Sequence, residues 1–362
     1  MREALYTTDD QEAWEAAMPA HASVFGSIGY ARIVQRHTGY PAQLMAVSSD
    51  EGRIVYPFLL RPVSSLPFAG GYRSWWDTFT PEYTGPIGFG AVTTALRDTF
   101  RACWDRLCAE EGIIAEFAHL HPSHRHAGLL RADDVHFNRE IVVIDLTLSE
   151  EELWRASFND HCRRNIRRAE REHVRVFEGR TKADIREFHR IYTMTMERHN
   201  ADARYFFPFE YFWSFREEMP DNSLFLFALR QDQIIAAKLY LFDDKEMYDF
   251  LGGMDIDYRR YGAAHAIIYA AIQSGRRYGK RRIILGGGYR PNDGVYQFKA
   301  SFSPLRLPFS TYRRIHHPAL YADLCQAWTE YYGCSSRQET EYFPVYRAVP
   351  LHDEGRAREV GG

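Results

Sequence analysis

Lys299, between Phe298 and Phe302, and the pattern Arg259-x-x-Gly262-x-Ala264 are the groups in this sequence best suited to bind negative charge. A lysine ammonium can stabilise the oxyanion that forms when an acyl group is transferred to an amine. The glycine pattern stands at the predicted start of an apolar helix, where free N–H groups suit a phosphate or an oxyanion. A tight-turn glycine and an exposed lysine explain the same residues, so both interpretations stay open.

The elements around these groups predict an α+β fold. The apolar runs Leu224–Arg230, Ile234–Phe242 and Met247–Gly253 are separated by short polar turns and predict antiparallel strands. A helix after Gly262, a strand at Arg282–Leu285, a second helix with Lys299 and a final strand complete one layer. The first half shows hairpin, helix, strand and strand, which predicts a second, diverged copy of that layer.

A basic helix is predicted to open the second copy. Ser149 and Glu152 form a capping box pattern, and the helix from Asp160 to about Glu172 follows it. Five arginines share one stripe of this helix, which suits phosphate groups: Arg163, Arg164, Arg167, Arg168 and Arg171. An ordinary solvated face, partly neutralised by neighbouring glutamates, is the alternative. We expect Arg164 and Arg168 to bind donor phosphates, together with Arg259 and Gly262.

Three stretches resemble the Fem-type aminoacyltransferases and the related GNAT-like acetyltransferases. Phe158–Val176 resembles the basic helix of that family, Gly294–Phe302 resembles its Phe-Lys-x-x-Phe element, and Pro81–Gly88 with Phe117–Pro122 resembles elements before its substrate site. The resemblance implies two tandem GNAT-like domains with mixed, mostly antiparallel sheets flanked by helices. We place the N-terminal domain at 1–148, the C-terminal domain at 149–350 and a flexible tail at 351–362.

The resemblance also implies roles for individual residues. Lys299 takes the place of the lysine that serves the aminoacyl end of the donor and the oxyanion. The wider set of expected substrate contacts comprises Phe298, Phe302, Tyr289, Tyr83, Trp76 and Arg36. The carboxylate that follows Gly85-Pro86 in the family is absent here, so Asp77 or Glu82 from the same segment is the expected base, unless water takes the proton. We predict that this segment, Ser64–Gly88, is a long irregular loop.

The expected function is amide formation, most simply by transfer of an aminoacyl group from aminoacyl-tRNA to an amine of a peptidoglycan precursor or natural product. The alternatives are an acyl-CoA-dependent N-acyltransferase and a non-catalytic double-GNAT scaffold that binds RNA or protein. With 45 basic and 48 acidic residues, the net charge of −3 excludes a protein that simply coats nucleic acid, so any RNA contact needs a local patch.

No tightly bound cofactor and no metal are expected. His119, His121, His124 and His126 lack zinc-site spacing, and the five cysteines have no metal pattern. The sequence lacks a secretory signal pattern and a long apolar run, so we expect a cytoplasmic protein without stable membrane insertion.

Overall fold

The computed structural model describes residues 1–123, 128–288, 290, 292–333 and 342–349. Its backbone forms two compact units. Unit 1 comprises Met1–Ala17, Val34–Asn138 and Phe309–Gly362, and unit 2 comprises Met18–Ile33 and Arg139–Pro308. The predicted tail at 351–362 lies outside the described residues, as do His124, His126 and Tyr289.

The strands are, in chain order, β1 (Arg2–Thr7), β2 (Ala42–Ser48), β3 (Gly52–Pro62), β4 (Trp76–Thr84), β5 (Ile87–Gly90), β6 (Ile113–Leu120), β7 (Val135–Asp145), β8 (Arg175–Gly179), β9 (Ser223–Arg230), β10 (Gln233–Phe242), β11 (Glu246–Met254), β12 (Arg282–Gly286) and β13 (Arg306–Ile315). The α-helices are α1 (Gln11–Ala17), α2 (Ile28–Thr38), α3 (Thr94–Glu110), α4 (Glu150–Glu152), α5 (Asp160–Arg171), α6 (Lys182–Arg198), α7 (Phe209–Glu218), α8 (Ala263–Arg277), α9 (Gly294–Ala300) and α10 (Pro318–Tyr332). The single turn α4 continues as a π-helix at Leu153–Ser157.

Each unit holds a mixed, mostly antiparallel sheet with helices against it, which confirms the predicted fold class. In unit 1 the strand order is β1-β2-β3-β4-β6-β13, with β5 beside β3, and β4 and β6 are its parallel pair. In unit 2 the order is β7-β12-β11-β10-β9-β8, and β11 and β12 are its parallel pair. The hairpins β9–β10 and β10–β11 are antiparallel, as their apolar runs and polar turns predict.

The core of unit 2 forms where α5 and α8 cover the sheet. Ile267, Ile268, Ala271 and Ile272 of α8 are buried on one stripe, which is the periodicity of the sequence. Ile166 of α5 belongs to the same hydrophobic cluster. The capping box at Ser149 and Glu152 is present in the structure, and Asn159 caps α5 by accepting a hydrogen bond from the Cys162 amide at 2.9 Å.

The prediction of a long irregular loop at Ser64–Gly88 is wrong, because this segment contains β4 and the start of β5. The strand β4 could not be predicted from apolar alternation because several of its inward-facing side chains are polar. Asp77, Thr78 and Thr80 are all buried, and the Thr80 hydroxyl accepts a hydrogen bond from the His119 amide at 2.9 Å. A strand with buried, hydrogen-bonded polar residues has no apolar alternation to detect.

Candidate active site

The parallel strands β11 and β12 of unit 2 separate after a short paired stretch. They pair from Glu246 with Arg282 to Tyr248 with Ile284. Beyond that point β12 ends at Gly286, whereas β11 continues to Met254. Strands that part in this way free backbone groups to bind a ligand, since N–H and C=O groups need partners. The candidate site of unit 2 lies at this separation.

Lys299 lies on α9, and its ammonium group reaches back to the end of β12. Its Nζ atom donates a hydrogen bond to the carbonyl oxygen of Gly287 at 2.9 Å. Burial lowers the pKa of Lys299 to about 8, while the Asp249 carboxylate acts in the opposite direction. Lys299 is therefore a cation at neutral pH that loses its charge in the mildly alkaline range.

Asp249 on β11 is a residue of this site that sequence reasoning missed. Its carboxylate is 3% exposed and accepts hydrogen bonds from Lys238 of β10 through both oxygens, at 2.6 and 2.8 Å. Tyr240 stands directly opposite Asp249 in the register, and its buried hydroxyl has no partner among the described residues. A single lysine and a single aspartate in two neighbouring apolar strands were the signal in the sequence.

Phe298 and Phe302, the predicted walls around Lys299, pack on each other and on a histidine. Their ring centroids are 5.6 Å apart, and His265 of α8 lies 4.9 Å from Phe298 and 5.3 Å from Phe302. Burial lowers the pKa of His265 to about 3, so this histidine stays neutral. Phe302 is fully buried, which favours a role in holding α9, whereas Phe298 is half-buried and keeps a surface for substrate.

Gly262 ends the turn before α8 in the left-handed conformation, with φ at 75°. A methyl group on its Cα would overlap the carbonyl oxygen of Asn165, so the backbone of α5 packs against this turn. Glycine is needed here for both conformation and close packing. Arg259, on the same turn, is exposed.

The outer face of α5 carries the predicted phosphate-binding arginines. Arg164 and Arg168 are exposed, and Arg168 donates to the carbonyl oxygen of Arg260 at 3.4 Å, which joins this face to the turn before α8. In the described part of the chain, none of the following arginines forms an ion pair with a carboxylate: Arg164, Arg167, Arg168, Arg171, Arg259 and Arg260. We call these six residues the α5 arginine face. Arg163, also predicted on the stripe, instead donates to the carbonyl oxygen of Trp154 at 2.8 Å.

In unit 1, Asp77 of β4 is fully buried among cationic and phenolic partners. Tyr346 and Arg347 both donate hydrogen bonds to its carboxylate, and the Arg61 guanidinium lies 3.8 Å from it. This arrangement ties the segment 342–349 to β4. The base role predicted for Asp77 stays a prediction, and its burial among these partners favours a structural role.

Glu82, near the end of β4, is a candidate for proton transfer. Burial raises the pKa of Glu82 to about 8, and no side chain within the described residues hydrogen-bonds or ion-pairs with its carboxylate. The neighbouring Tyr83 packs edge to face on Phe309 at 5.2 Å and lies 6.4 Å from the His121 ring. A carboxyl group poised near its pKa at working pH can accept or donate a proton.

The other residues predicted to contact substrate do not cluster around Lys299 in the described structure of unit 2. Trp76, at the start of β4, packs against the core of unit 1 around α3. Arg36 is exposed in the last turn of α2, and the prediction for Tyr289 falls outside the described residues. Unit 1 thus brings Trp76, Asp77, Glu82 and Tyr83 onto one strand, and unit 2 brings Phe298, Lys299 and Phe302 onto one helix.

The described residues contain neither a cluster of metal-ligand side chains nor a helix suited to span a membrane. Across residues 1–123, 128–288, 290, 292–333 and 342–349, no three histidine, cysteine or acidic side chains converge as metal ligands. Over the same residues, no helix has the length and apolar content needed to cross a membrane.

Comparison with known proteins identifies the fold. Residues 156–300 match a family model described as an acetyltransferase (GNAT) domain. The crystal structure of FemX superposes with a TM-score of 0.65 over 89% of this chain and 99% of FemX, at 14% sequence identity. The chain has a Fem-like, GNAT-type fold.

Two further structures share this fold. A protein of unknown function from Bacteroides thetaiotaomicron is 11% identical, with a TM-score of 0.57 over 85% of this chain and 97% of its own. The C-terminal domain of a candidate lysylphosphatidylglycerol synthetase from Agrobacterium fabrum is 15% identical, with a TM-score of 0.55 over 86% and 95%. No curated protein sequence matches the chain significantly. At these identities the likeness establishes the fold, so function must be argued from the site.

Proposed function

We propose that this protein is an amide-forming aminoacyltransferase that takes its acyl group from aminoacyl-tRNA. The observation that carries the proposal is the α5 arginine face, whose guanidinium groups are exposed and have no carboxylate partner in the described residues. Unpaired arginines on one surface attract a polyanion, because each phosphate contact releases counterions. A tRNA is the polyanion that also carries a reactive acyl ester.

The reaction assigns a separate task to Lys299. The amine nitrogen of the acceptor attacks the ester carbonyl carbon, and the carbonyl oxygen becomes negative. The Lys299 ammonium stabilises that oxyanion as it collapses to an amide and expels the 3′-terminal hydroxyl of the tRNA. The amine gives up a proton and the leaving oxygen takes one, so the step is neutral overall. Glu82 is the candidate proton carrier, because its pKa of about 8 lets it exchange protons near neutral pH.

The turn before α8 supports tRNA over acyl-CoA as the donor. A CoA pyrophosphate would need close approach to the backbone at Gly262. At that position the carbonyl oxygen of Asn165 already packs against the glycine. Arg168 also donates a hydrogen bond to this turn, at the carbonyl oxygen of Arg260. Phosphate groups therefore have better access to the outer face of α5 than to the backbone at Gly262. One structural neighbour is the C-terminal domain of a candidate lysylphosphatidylglycerol synthetase, a name that denotes attachment of an amino acid and agrees with aminoacyl transfer.

An acyl-CoA donor is the second candidate. It is favoured by the match of residues 156–300 to an acetyltransferase domain and by the left-handed glycine at the start of α8. The acceptor under either proposal is a small-molecule or peptide amine, such as the amine of a peptidoglycan precursor or a natural product. A scaffold that only binds RNA or protein is the remaining hypothesis, which turnover measurements distinguish.

Donor binding by the intact protein tests the proposal. We expect charged tRNA to bind more tightly than deacylated tRNA and acyl-CoA at fixed salt, and labelled amino acid to pass to an added amine. The double variant Arg164→Glu/Arg168→Glu should weaken tRNA binding at least about tenfold and reduce its salt slope by about two to four, because two phosphate contacts become repulsive.

Arg175→Glu/Arg180→Glu is the matched double control, because Arg175 on β8 and Arg180 directly after it are 74% and 64% exposed on the same unit. Equal loss in this variant would mean that general charge, and not the α5 arginine face, governs binding. If acyl-CoA binds and charged tRNA does not, the donor is acyl-CoA and not tRNA. Tight binding of charged tRNA without transfer to any amine would favour the scaffold.

A further inference from the structure

A cleft of about 500 Å³ opens beside the α5 arginine face. It is lined by Trp154, Tyr269, the two arginines Arg155 and Arg167 and the three glutamates Glu150, Glu151 and Glu170. We call it the Trp154 cleft. Its residues come from α4 and the π-helix after it, from α5 and from α8. Such π turns occur mostly as short insertions in α-helices and are frequent at functional sites.

Aromatic rings form one wall of the Trp154 cleft. The centroids of Trp154 and Tyr269 are 6.2 Å apart, and Phe158 packs against both, at 5.8 and 6.3 Å. Phe158 also contacts Phe302, at 5.8 Å, on the far side of the wall. The wall is therefore supported by the same core that holds α9.

Arg167 of α5 already covers the face of Trp154. The guanidinium carbon of Arg167 lies 5.4 Å from the ring centroid. Because Arg167 occupies the cation–π position over Trp154, a cationic ligand cannot take that position. A flat ring can instead stack on the combined surface of the guanidinium group and the indole ring. The neighbouring arginines of α5 would meet negative groups attached to that ring.

The three glutamates differ in how much of their hydrogen-bonding capacity is used. Tyr269 donates a hydrogen bond to Glu150, and Glu151 pairs with Arg155 at 2.8 Å. Glu170 is exposed and forms no ion pair with any described residue. Its carboxylate is free to accept hydrogen bonds, and an exocyclic amino group of a nucleobase is a suitable donor.

We propose that the Trp154 cleft binds a nucleobase of the RNA donor, with the base stacked on Trp154 and Arg167, its amino group on Glu170 and its phosphates on the α5 arginine face. This inference rests on the proposed function, because the RNA is taken to be the donor. Adenine, cytosine and guanine carry an exocyclic amino group, whereas uracil does not. The cleft should therefore discriminate against uridine.

Short single-stranded oligoribonucleotides test the cleft without requiring catalysis. Labelled A4, C4 and U4 tetranucleotides are titrated with the full-length protein, and binding is followed by fluorescence anisotropy at low salt. We expect A4 and C4 to bind at least about fivefold more tightly than U4. Trp154→Ala should weaken A4 and C4 binding about tenfold or more, and Glu170→Gln should reduce the preference over U4 to less than twofold.

Trp213 offers a matched control on another surface of the same unit. It too is half-buried and bears a cation on its ring, since Lys182 Nζ lies 5.1 Å from the centroid. Trp213→Ala should leave all three affinities unchanged. Equal affinities in Trp154→Ala and Trp213→Ala would overturn the inference, as would an unchanged uridine preference in Glu170→Gln. If spermidine changes the tryptophan fluorescence of the wild type but not of Trp154→Ala, and no tetranucleotide binds, the cleft is a cation site instead.

The experiments distinguish an error in the cleft assignment from an error in the proposed function. If charged tRNA binds and reacts normally in Trp154→Ala, the donor assignment stands and the cleft assignment is wrong. If tetranucleotides bind through Trp154 but no aminoacyl group is transferred, the cleft assignment stands and the proposed reaction is wrong.

Discussion

Lys238 donates hydrogen bonds to both oxygens of the Asp249 carboxylate, at 2.6 and 2.8 Å, across the hairpin of β10 and β11. The same carboxylate also acts on Lys299, whose charge it favours against the effect of burial. One buried acid therefore influences two lysines, and the proton affinity of Lys299 depends on how strongly Lys238 engages it.

The first prediction is a pair of opposite shifts in the pKa of Lys299. Asp249→Asn removes a favourable charge and should lower this pKa, whereas Lys238→Met removes a repulsive cation and should raise it. Asp293 and Arg139 are the other charged groups that act on Lys299, in opposite directions, and both variants leave them in place. The rate of reductive methylation of Lys299, followed by mass spectrometry across pH 6 to 11, measures the shift. Exposed Lys182 serves as the internal reference, and shifts of the same sign would contradict the prediction.

The second prediction concerns the dependence of transfer on the Lys299 cation. Because the pKa of Lys299 is about 8, its ammonium form is lost as the pH rises through 8, and transfer should fall over that range. Lys299→Ala should lower the single-turnover rate at least about tenfold, or about 1.4 kcal/mol of barrier, below pH 8, and its difference from the wild type should shrink as the pH rises further. Lys299→Arg should retain activity at higher pH than the wild type. Circular dichroism melting confirms the fold, and an unchanged rate in Lys299→Ala would remove this residue from the mechanism.

The third prediction tests Glu82 as the base. A base works in its deprotonated form, so transfer should rise with pH up to about 8, where the Glu82 carboxyl loses its proton. Glu82→Gln should lower the rate about a hundredfold and abolish that rise. Glu110→Gln is the control, because Glu110 is 66% exposed on the same unit. An acid limb that persists in Glu82→Gln would assign it to another group.

The fourth prediction separates stability from catalysis at Asp77. Asp77→Asn leaves the buried guanidinium groups of Arg61 and Arg347 without their counter-ion. The free energy of unfolding in urea should fall by about 3 to 5 kcal/mol, with transfer per folded molecule nearly unchanged. Asp98→Asn, at a side chain that is 65% exposed, should change neither. A stable Asp77→Asn variant that has lost activity would restore the catalytic role that the sequence suggests.

The fifth prediction compares two glycines with the same backbone conformation. Gly262 and Gly279 have φ values of 75° and 69°, so alanine should cost about 1 to 2 kcal/mol of stability at either position through strain alone. An added methyl group meets the Asn165 carbonyl at Gly262 and nothing within 4 Å at Gly279. Gly262→Ala should therefore cost about 1 to 3 kcal/mol more in urea unfolding. Equal losses would show that α5 yields easily at this turn.

Local sequence pattern predicted much of unit 2. The apolar run Ile234–Phe242 corresponds to β10 at Gln233–Phe242, and the predicted helix from Asp160 corresponds to α5 at Asp160–Arg171. Apolar periodicity, polar turns and capping residues act within a few positions, so they can be read without tertiary information.

Features that depend on pairing between distant residues escaped prediction. The register of β10 with β11 shifts between Leu239 and Tyr240, and this irregularity sets Asp249 opposite Tyr240. No local pattern specifies such a shift. The strand β4 was missed for a related reason, since the partners of Asp77 include Tyr346 and Arg347, which lie about 270 positions away in the sequence.

The capping residue of α5 makes one further contact with a mechanical consequence. The amide of Asn159 donates a hydrogen bond to the carbonyl oxygen of Ser301, immediately after α9, at 2.9 Å. The helix with the arginine face and the helix with Lys299 are thus joined end to end by a backbone hydrogen bond, so a displacement of one helix is transmitted to the other. If RNA bound to the arginine face displaces α5, reciprocity requires that a ligand which displaces α9 changes the affinity for RNA by the same factor. The rate of deuterium exchange at the Asn159 amide measures how often this hydrogen bond opens.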